Sequence, residues 1–361
     1  MTSRRPCGFV VAILLASTAL HADERAAWRV RAIRSEHGAR CRAVAFSPDD
    51  RWLATAGGGS VGDVKIWDVK TGDEVAAREA HAGRTTAVAF SPDSKNLATG
   101  GGIWNGPGEF AVWDVTKQIR TGSFQIAEGG VLSLAYSPDG QTLAIGAGYV
   151  VGDTAKGAVR LWDITKGTES TTTLQGPPAE MTSLVYSHGG KSLIASTFHS
   201  DPQANQTLWE MKVWNAKTGR AQSVLDSNRE QPLEAAFFNL RTLAVSDDGN
   251  IIAGAGRNGV NGLVKVWNVT TGTMSVLPKH AGAVWAVAVT GDGKTVATAD
   301  NGAGTIRFWD VVDQKELPGL AAFSGATFAL AFSPDGKHLV AGGVDATPGQ
   351  ERGVIKWWVR D

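Results

Sequence analysis

Short apolar runs recur along the chain in a fixed order, each cut off by a polar turn of nearly constant composition. Ala43-Val-Ala-Phe-Ser-Pro-Asp49 returns as Ala87 to Asp93, and in altered form as Leu134-Ala-Tyr-Ser-Pro-Asp139, Leu184-Val-Tyr-Ser187, Leu243-Ala-Val-Ser-Asp-Asp248, Val287-Ala-Val-Thr290 and Leu330-Ala-Phe-Ser-Pro-Asp335. Proline presets φ and Asp or Gly tolerates the tight geometry, so each copy predicts a strand entering a hairpin turn. A second apolar run follows, as in Leu53-Ala-Thr-Ala56, Leu97-Ala-Thr-Gly100 and Leu339-Val-Ala-Gly342, and then a third centred on a tryptophan. The third runs alternate bulky apolar with polar or small residues, as in Val64-Lys65-Ile66-Trp67 and Ile306-Arg307-Phe308-Trp309, the two-residue period of a strand. A fourth short segment, such as Glu74 to Arg78 or Ala221 to Leu225, completes the unit.

The third-run tryptophans are Trp67, Trp113, Trp162, Trp214, Trp267, Trp309 and Trp358, at steps of 46, 49, 52, 53, 42 and 49 residues. They explain seven of the 13 tryptophans, so this skewed composition reflects one structural position used repeatedly. Asp or Asn follows six of them. The Trp-Asp ending, the Ser-Pro-Asp-Gly hairpin and the repeat of about 40 to 45 residues resemble the WD-repeat family over essentially all of residues 23–361. The resemblance implies one all-β domain, a seven-bladed β-propeller of four-stranded antiparallel blades. A lone four-stranded sheet cannot bury both faces, whereas seven arranged radially bury them against one another. The chain stops at Asp361, just past the seventh third run, while residues 27–34 form an unassigned strand-like segment. That N-terminal segment is expected to supply the outer strand of the last blade.

The family pattern links a His before the first strand, a Ser or Thr in the second, the Trp, and an Asp between second and third strands by hydrogen bonds. His37, His81 and His280 stand ten residues before Ser47, Ser91 and Thr290 and match that histidine in a structural role. The other four copies lack it. The matching Asp is not evident, so blade rigidity is expected to rest more on apolar packing.

Residues 1–22 stand apart. Arg4 and Arg5 precede an apolar run from Gly8 to Leu20, and Leu20-His21-Ala22 precedes Asp23 and Glu24, the layout of a secretory signal cleaved after Ala22. The run falls short of the roughly 20 residues of a spanning helix, so a periplasmic or secreted protein with no stable membrane anchor is expected. Ser3-Arg4-Arg5 resembles part of a twin-arginine signal, but Pro6 and Cys7 depart from it. Cleavage would remove Cys7 and leave Cys41 alone, so no internal disulfide is expected. The 35 basic residues balance 35 acidic ones, and removing Arg4 and Arg5 leaves 33 − 35 = −2. Such a balance argues against a nucleic-acid partner.

Catalytic patterns fail on context. Gly58-Gly-Ser60-Val-Gly62 fits a nucleophile elbow, but a strand follows where a helix is needed. Gly57-x-Gly59-x-x-Gly62 and Gly254-x-Gly256-x-x-Gly259 match a dinucleotide pattern without the helix that would face a phosphate, and read as loops. No haem, zinc or phosphate-loop motif occurs, so no cofactor or metal is expected. His199 and Asp201 read as a solvated loop pair, and Cys41 as a small buried hydrophobe.

A protein or peptide partner is the expected ligand. The interval from second-strand apolar residue to the position three before Trp grows from 11 in the first copy to 16, 18 and 16 in the third, fourth and seventh. Radial symmetry puts these lengthened loops on one face. Trp104, Tyr149, Phe198, His199 and Trp209 lie on them, outside the core pattern, and aromatics are enriched at interface hot spots. The position five before each first-strand Ser or Thr resembles a family contact position at the channel mouth. Arg42, Thr86, Leu132, Thr182, Arg241, Trp285 and Phe328 occupy it, a cationic and aromatic rim suited to an acidic or extended segment. An exported, non-catalytic scaffold is the favoured reading; a channel-sited enzyme of the propeller lactonase or dehydrogenase kind and a structural subunit of an envelope assembly are the alternatives.

Overall fold

Every apolar run expected to form a strand does so, and the polar turns between them close antiparallel hairpins. The computed structural model of the chain describes residues 28–103, 106–127, 129–151, 154–172, 174, 180–201, 206–227, 238–258, 261–278, 280–301, 304–347 and 350–360. Seven antiparallel four-stranded sheets result, a seven-bladed β-propeller. Blade 1 is built from Cys41–Phe46, Trp52–Gly58, Val61–Asp68 and Glu74–Ala82, in chain order from the innermost strand outward. Blades 2 to 6 repeat that order from first strands Arg84–Phe90, Val131–Tyr136, Glu180–Tyr186, Phe238–Val245 and Val284–Val289.

Blade 7 is composite. Thr327–Phe332, His338–Thr347 and Gln350–Val359 are joined by Arg29–His37 as the outer strand. Arg29 faces Val359 and His37 faces Gly353 in the antiparallel register, so the two ends of the chain share one sheet. The closing strand runs three residues beyond the expected 27–34 and begins two later, because Trp28 leaves the ladder to stack on Phe308 of blade 6 at 6.0 Å.

The core lies between blades. Ala286, Ala297 and Phe308 of blade 6 pack with Leu330, Leu339 and Trp358 of blade 7. Six of the repeat tryptophans are buried, while Trp162 is half-buried against Phe110 and Phe124 of blade 2. Each turn is locked by its own side chains. Ser47 Oγ donates to Asp49 Oδ1 and accepts from Trp52 N, and Ser91, Ser137, Ser246, Thr290 and Ser333 make the equivalent pair of contacts. Blade 4 lacks the Asp and closes through a short 3-10 turn, His188–Gly190.

The lengthened connections are not loops. In blade 3, Thr142–Val151 and Thr154–Asp163 pair along their whole lengths, and in blade 4 Ser192–Asp201 and Gln206–Asn215 do likewise. Blade 7 shows the same in its second and third strands. The extra residues prolong the ladder past the start of the first strand, so three β-hairpins rise above one face of the ring.

Candidate interaction surface at the channel mouth

On each first strand the ladder skips one residue. Cys41 pairs with Gly57 and Ala43 with Ala56, leaving Arg42 without a partner. The same register shift omits Thr86, Leu132, Thr182, Arg241, Trp285 and Phe328 in the other six blades. These are the seven residues that stand five before a first-strand Ser or Thr. A bulge leaves the extra residue unpaired and re-aims its side chain, so one backbone device sets the chemistry of the mouth.

The rim divides into two arcs. In blades 2 and 4 the threonines are consumed by the ring itself: Thr86 Oγ1 donates to the Val131 carbonyl, and Thr182 Oγ1 shares a 2.6 Å hydrogen bond with Ser196 Oγ. Leu132 lies between them. Blades 5, 6, 7 and 1 present Arg241, Trp285, Phe328 and Arg42 in unbroken succession. Trp285 and Phe328 stack with centroids 5.2 Å apart, and the guanidinium carbons of Arg42 and Arg40 lie 5.8 and 5.5 Å from the Phe328 centroid. The structure thus brings Arg42, Trp285 and Phe328 together, and Arg241 is exposed on the neighbouring blade.

Arg42 is under electrostatic stress. Its buried Nε meets no acceptor among the described residues. Burial, then the like charges of Arg84 and Arg40, push its pKa down to about 10. Gly57 helps to place this cluster: a Cβ there would lie 2.0 Å from the Arg40 carbonyl, and Gly58 N donates to that same oxygen. The opposite face carries the hairpin turns. Burial, then the neighbouring Asp335, hold the Asp50 carboxyl above its usual value. A cavity of ≈ 460 Å³ opens at that end, lined mainly by apolar ends of first strands such as Phe46, Val287, Leu330 and Phe332, with Asp247.

The predicted structural histidines are buried and belong to networks more complete than expected. His37 Nε2 lies 3.0 Å from Thr55 Oγ1, which accepts from Trp67 Nε1 at 2.9 Å, and Asp63 Oδ1 sits 2.8 Å from His37 Nδ1. In blade 2, His81, Thr99, Trp113 and Glu109 repeat this geometry. The expectation of a missing acid is therefore corrected for two blades. The acid stands on the third strand, four residues before the Trp, and in one blade it is Glu. In blade 6, Thr298 binds both His280 and Trp309, but Thr305 occupies the acid's position. His280 Nδ1 there has no hydrogen-bond partner among the described residues, the Pro278 carbonyl lying near but outside bonding geometry.

The surroundings shift the three rings' pKa values differently. Burial opposes a charge on His37, but the Cys41 sulfur and Asp63 outweigh it and raise the pKa to about 10. Burial prevails at His81, whose Glu109 is shared with Arg120 and Ser123, and that pKa is lowered. Burial and the nearby Arg307 push His280 down to about 4. Cys41 is free and fully buried.

Trp104 lies outside the described residues. Tyr149, Phe198, His199 and Trp209, expected on loops, are strand residues of the raised hairpins: Tyr149 faces Lys156, Phe198 faces Trp209 and His199 faces Leu208. Their side chains lie outside the described part. Asp201, also expected on a loop, closes the same strand as His199. Gly57, Gly254 and Gly256 of the glycine motifs are likewise strand residues, and Ser60 sits in a hairpin between two strands. Among the described residues no group of three or more His, Cys, Asp or Glu could hold a metal ion, and no helix is long and apolar enough to cross a membrane.

Two family models match the chain. One described as WD domain, G-beta repeat, matches residues 117–163, 272–310 and 320–347. One described as eukaryotic translation initiation factor eIF2A matches residues 27–113, which hold the closing strand, blade 1 and most of blade 2. An uncharacterised WD repeat-containing protein of Synechocystis sp. is 33% identical over 29% of the chain and 30% of that relative. Periodic tryptophan protein 2 of Arabidopsis thaliana is 26% identical over 52% of the chain, and its Dictyostelium discoideum homologue 32% identical over 30%. The chain covers only 21% and 12% of those two relatives.

Proposed function

Because this chain belongs to the WD-repeat β-propeller family, whose members generally serve as protein-interaction scaffolds, we propose that it is an exported, non-catalytic scaffold that holds a protein segment at its channel mouth. The observation that carries the reading is the bulge repeated in all seven first strands, which gathers Arg42, Phe328 and Trp285 into one contact group. Aromatic and arginine side chains are the residues through which interfaces gain most of their energy. The rim supplies both, on the first strands of neighbouring blades. Catalysis needs reacting groups that converge on one point, and the rim offers cations and rings without a base or nucleophile between them.

Export rests on residues 1–22 alone, with their paired arginines, apolar run and small-residue end. N-terminal sequencing of the protein from its native host tests it: the expected start is Asp23, and a chain retaining Met1 refutes export by a cleaved signal. Capture of partners from the extracytoplasmic fraction, by wild type and by the Arg42→Ala, Trp285→Ala double variant, tests the mouth. Proteins retained by wild type and lost by a folded double variant support it. Identical capture by both excludes the mouth as the docking surface.

A further inference from the structure

The arc formed by Arg241, Trp285, Phe328 and Arg42 has an order, and order is what reads a sequence. We propose that it binds an extended peptide carrying two carboxylates with an aromatic or bulky apolar side chain between them. The inference rests on the mouth being the docking surface and specifies what docks there.

The argument starts from the ends. The half-buried Arg42 stands beside the like charges of Arg84 and Arg40 and over the Phe328 ring, so a carboxylate at its accessible side offsets a local excess of positive charge. Guanidinium and carboxylate match as a planar fork, and the charge-assisted bond is about twice as strong as a neutral one. Arg241 sets a second cation at the far end of the arc, exposed to an arriving chain. Between them Trp285 and Phe328 form a stacked aromatic wall, which favours a ring or large apolar group.

Distances favour an extended ligand. Side chains two residues apart on one face of a strand are separated by roughly 7 Å. Two of the three steps along the arc are of that order, 5.8 Å from the Arg42 guanidinium to the Phe328 ring and 5.2 Å from Phe328 to Trp285. A peptide with acids at its first and fifth positions and an aromatic at its third would set all three side chains against the arc.

The test uses the intact protein and fluorescein-labelled peptides read by anisotropy. The probes have the form Asp-x-Phe-x-Asp, the same with Asn for each Asp, the same with Lys for each Asp, and the same with Ala for Phe. The acidic aromatic probe is expected to bind about tenfold or more tightly than the Asn and Ala probes, and to weaken between about 50 and 500 mM salt. Arg42→Gln and Arg241→Gln should each weaken the acidic probe about tenfold without affecting the Asn probe, with thermal melts confirming the fold. Equal affinity for the Asp and Asn probes, tighter binding of the Lys probe, or no saturable binding up to about 1 mM overturns the proposal. If it falls while natural capture still depends on Arg42 and Trp285, the docking reading stands with another ligand chemistry. If that dependence is absent too, both fall.

Discussion

Thr55→Val removes one oxygen and almost no volume, yet the structure assigns that oxygen two buried clients. Trp67 Nε1–H donates to it at 2.9 Å, and His37 Nε2 lies 3.0 Å away. Thr55 Oγ1 therefore accepts from the indole and is also the hydrogen-bond partner of His37 Nε2. Valine strands both, in residues each 2% exposed. A buried donor left without a partner costs about 1–3 kcal/mol, so the substitution should cost about 2–5 kcal/mol. Blade 3 supplies the control, because Ile145 stands two residues after Leu143 as Thr55 stands two after Leu53, and no histidine joins it. Ile145→Val removes only a buried methylene, worth about 1 kcal/mol. Urea unfolding followed by tryptophan fluorescence compares the two. If Thr55→Val costs no more than Ile145→Val, the networks are not what holds these blades, and the reasoning fails.

Three further outcomes follow from the same geometry. His280 has a folded pKa of about 4 against 6.5 when unfolded, so the unfolded chain takes up its proton first as pH falls. Stability is therefore lost from about pH 6.5 down to about 4, by up to about 3 kcal/mol; His280→Gln should flatten that part of a plot of urea midpoint against pH, and an unchanged slope refutes it. Thr305→Asp supplies blade 6 with the missing acid, and NMR titration should show the His280 ring pKa rising well above 4; no rise would mean that the position does not reach Nδ1. Gly57→Ala drives a methyl into the Arg40 carbonyl, 2.0 Å away, and should cost about 1–3 kcal/mol by thermal melting monitored by circular dichroism.

The sequence made the ring legible because seven copies of one pattern agree, and a periodic error is hard to sustain seven times. The rim was legible for a related reason: a fixed offset from the turn serine is preserved even where the residue changes from Arg to Thr to Trp. The acid of the histidine network is not legible as a loop Asp, because Asp63 and Glu109 stand on strands at a fixed distance before the Trp. Extra length between strands does not by itself distinguish a loop from a prolonged hairpin, although Tyr149-Val150-Val151 has the composition of a strand. Physical proximity across blades, as between Arg42 and Phe328, has no signature in a single chain's spacing.

The shared sheet of blade 7 has a consequence for how the molecule is made. Arg29–His37 is synthesised before every other strand of the ring and pairs with Gln350–Val359, which is synthesised after them. The six blades between can each zip from local hairpins as they emerge, but the seventh must wait for nearly the whole chain. His37, the residue that ties blade 1 to its own tryptophan, rides on that waiting strand. A product truncated before Gln350 therefore leaves Arg29–His37 without its partner strand and the ring without its clasp.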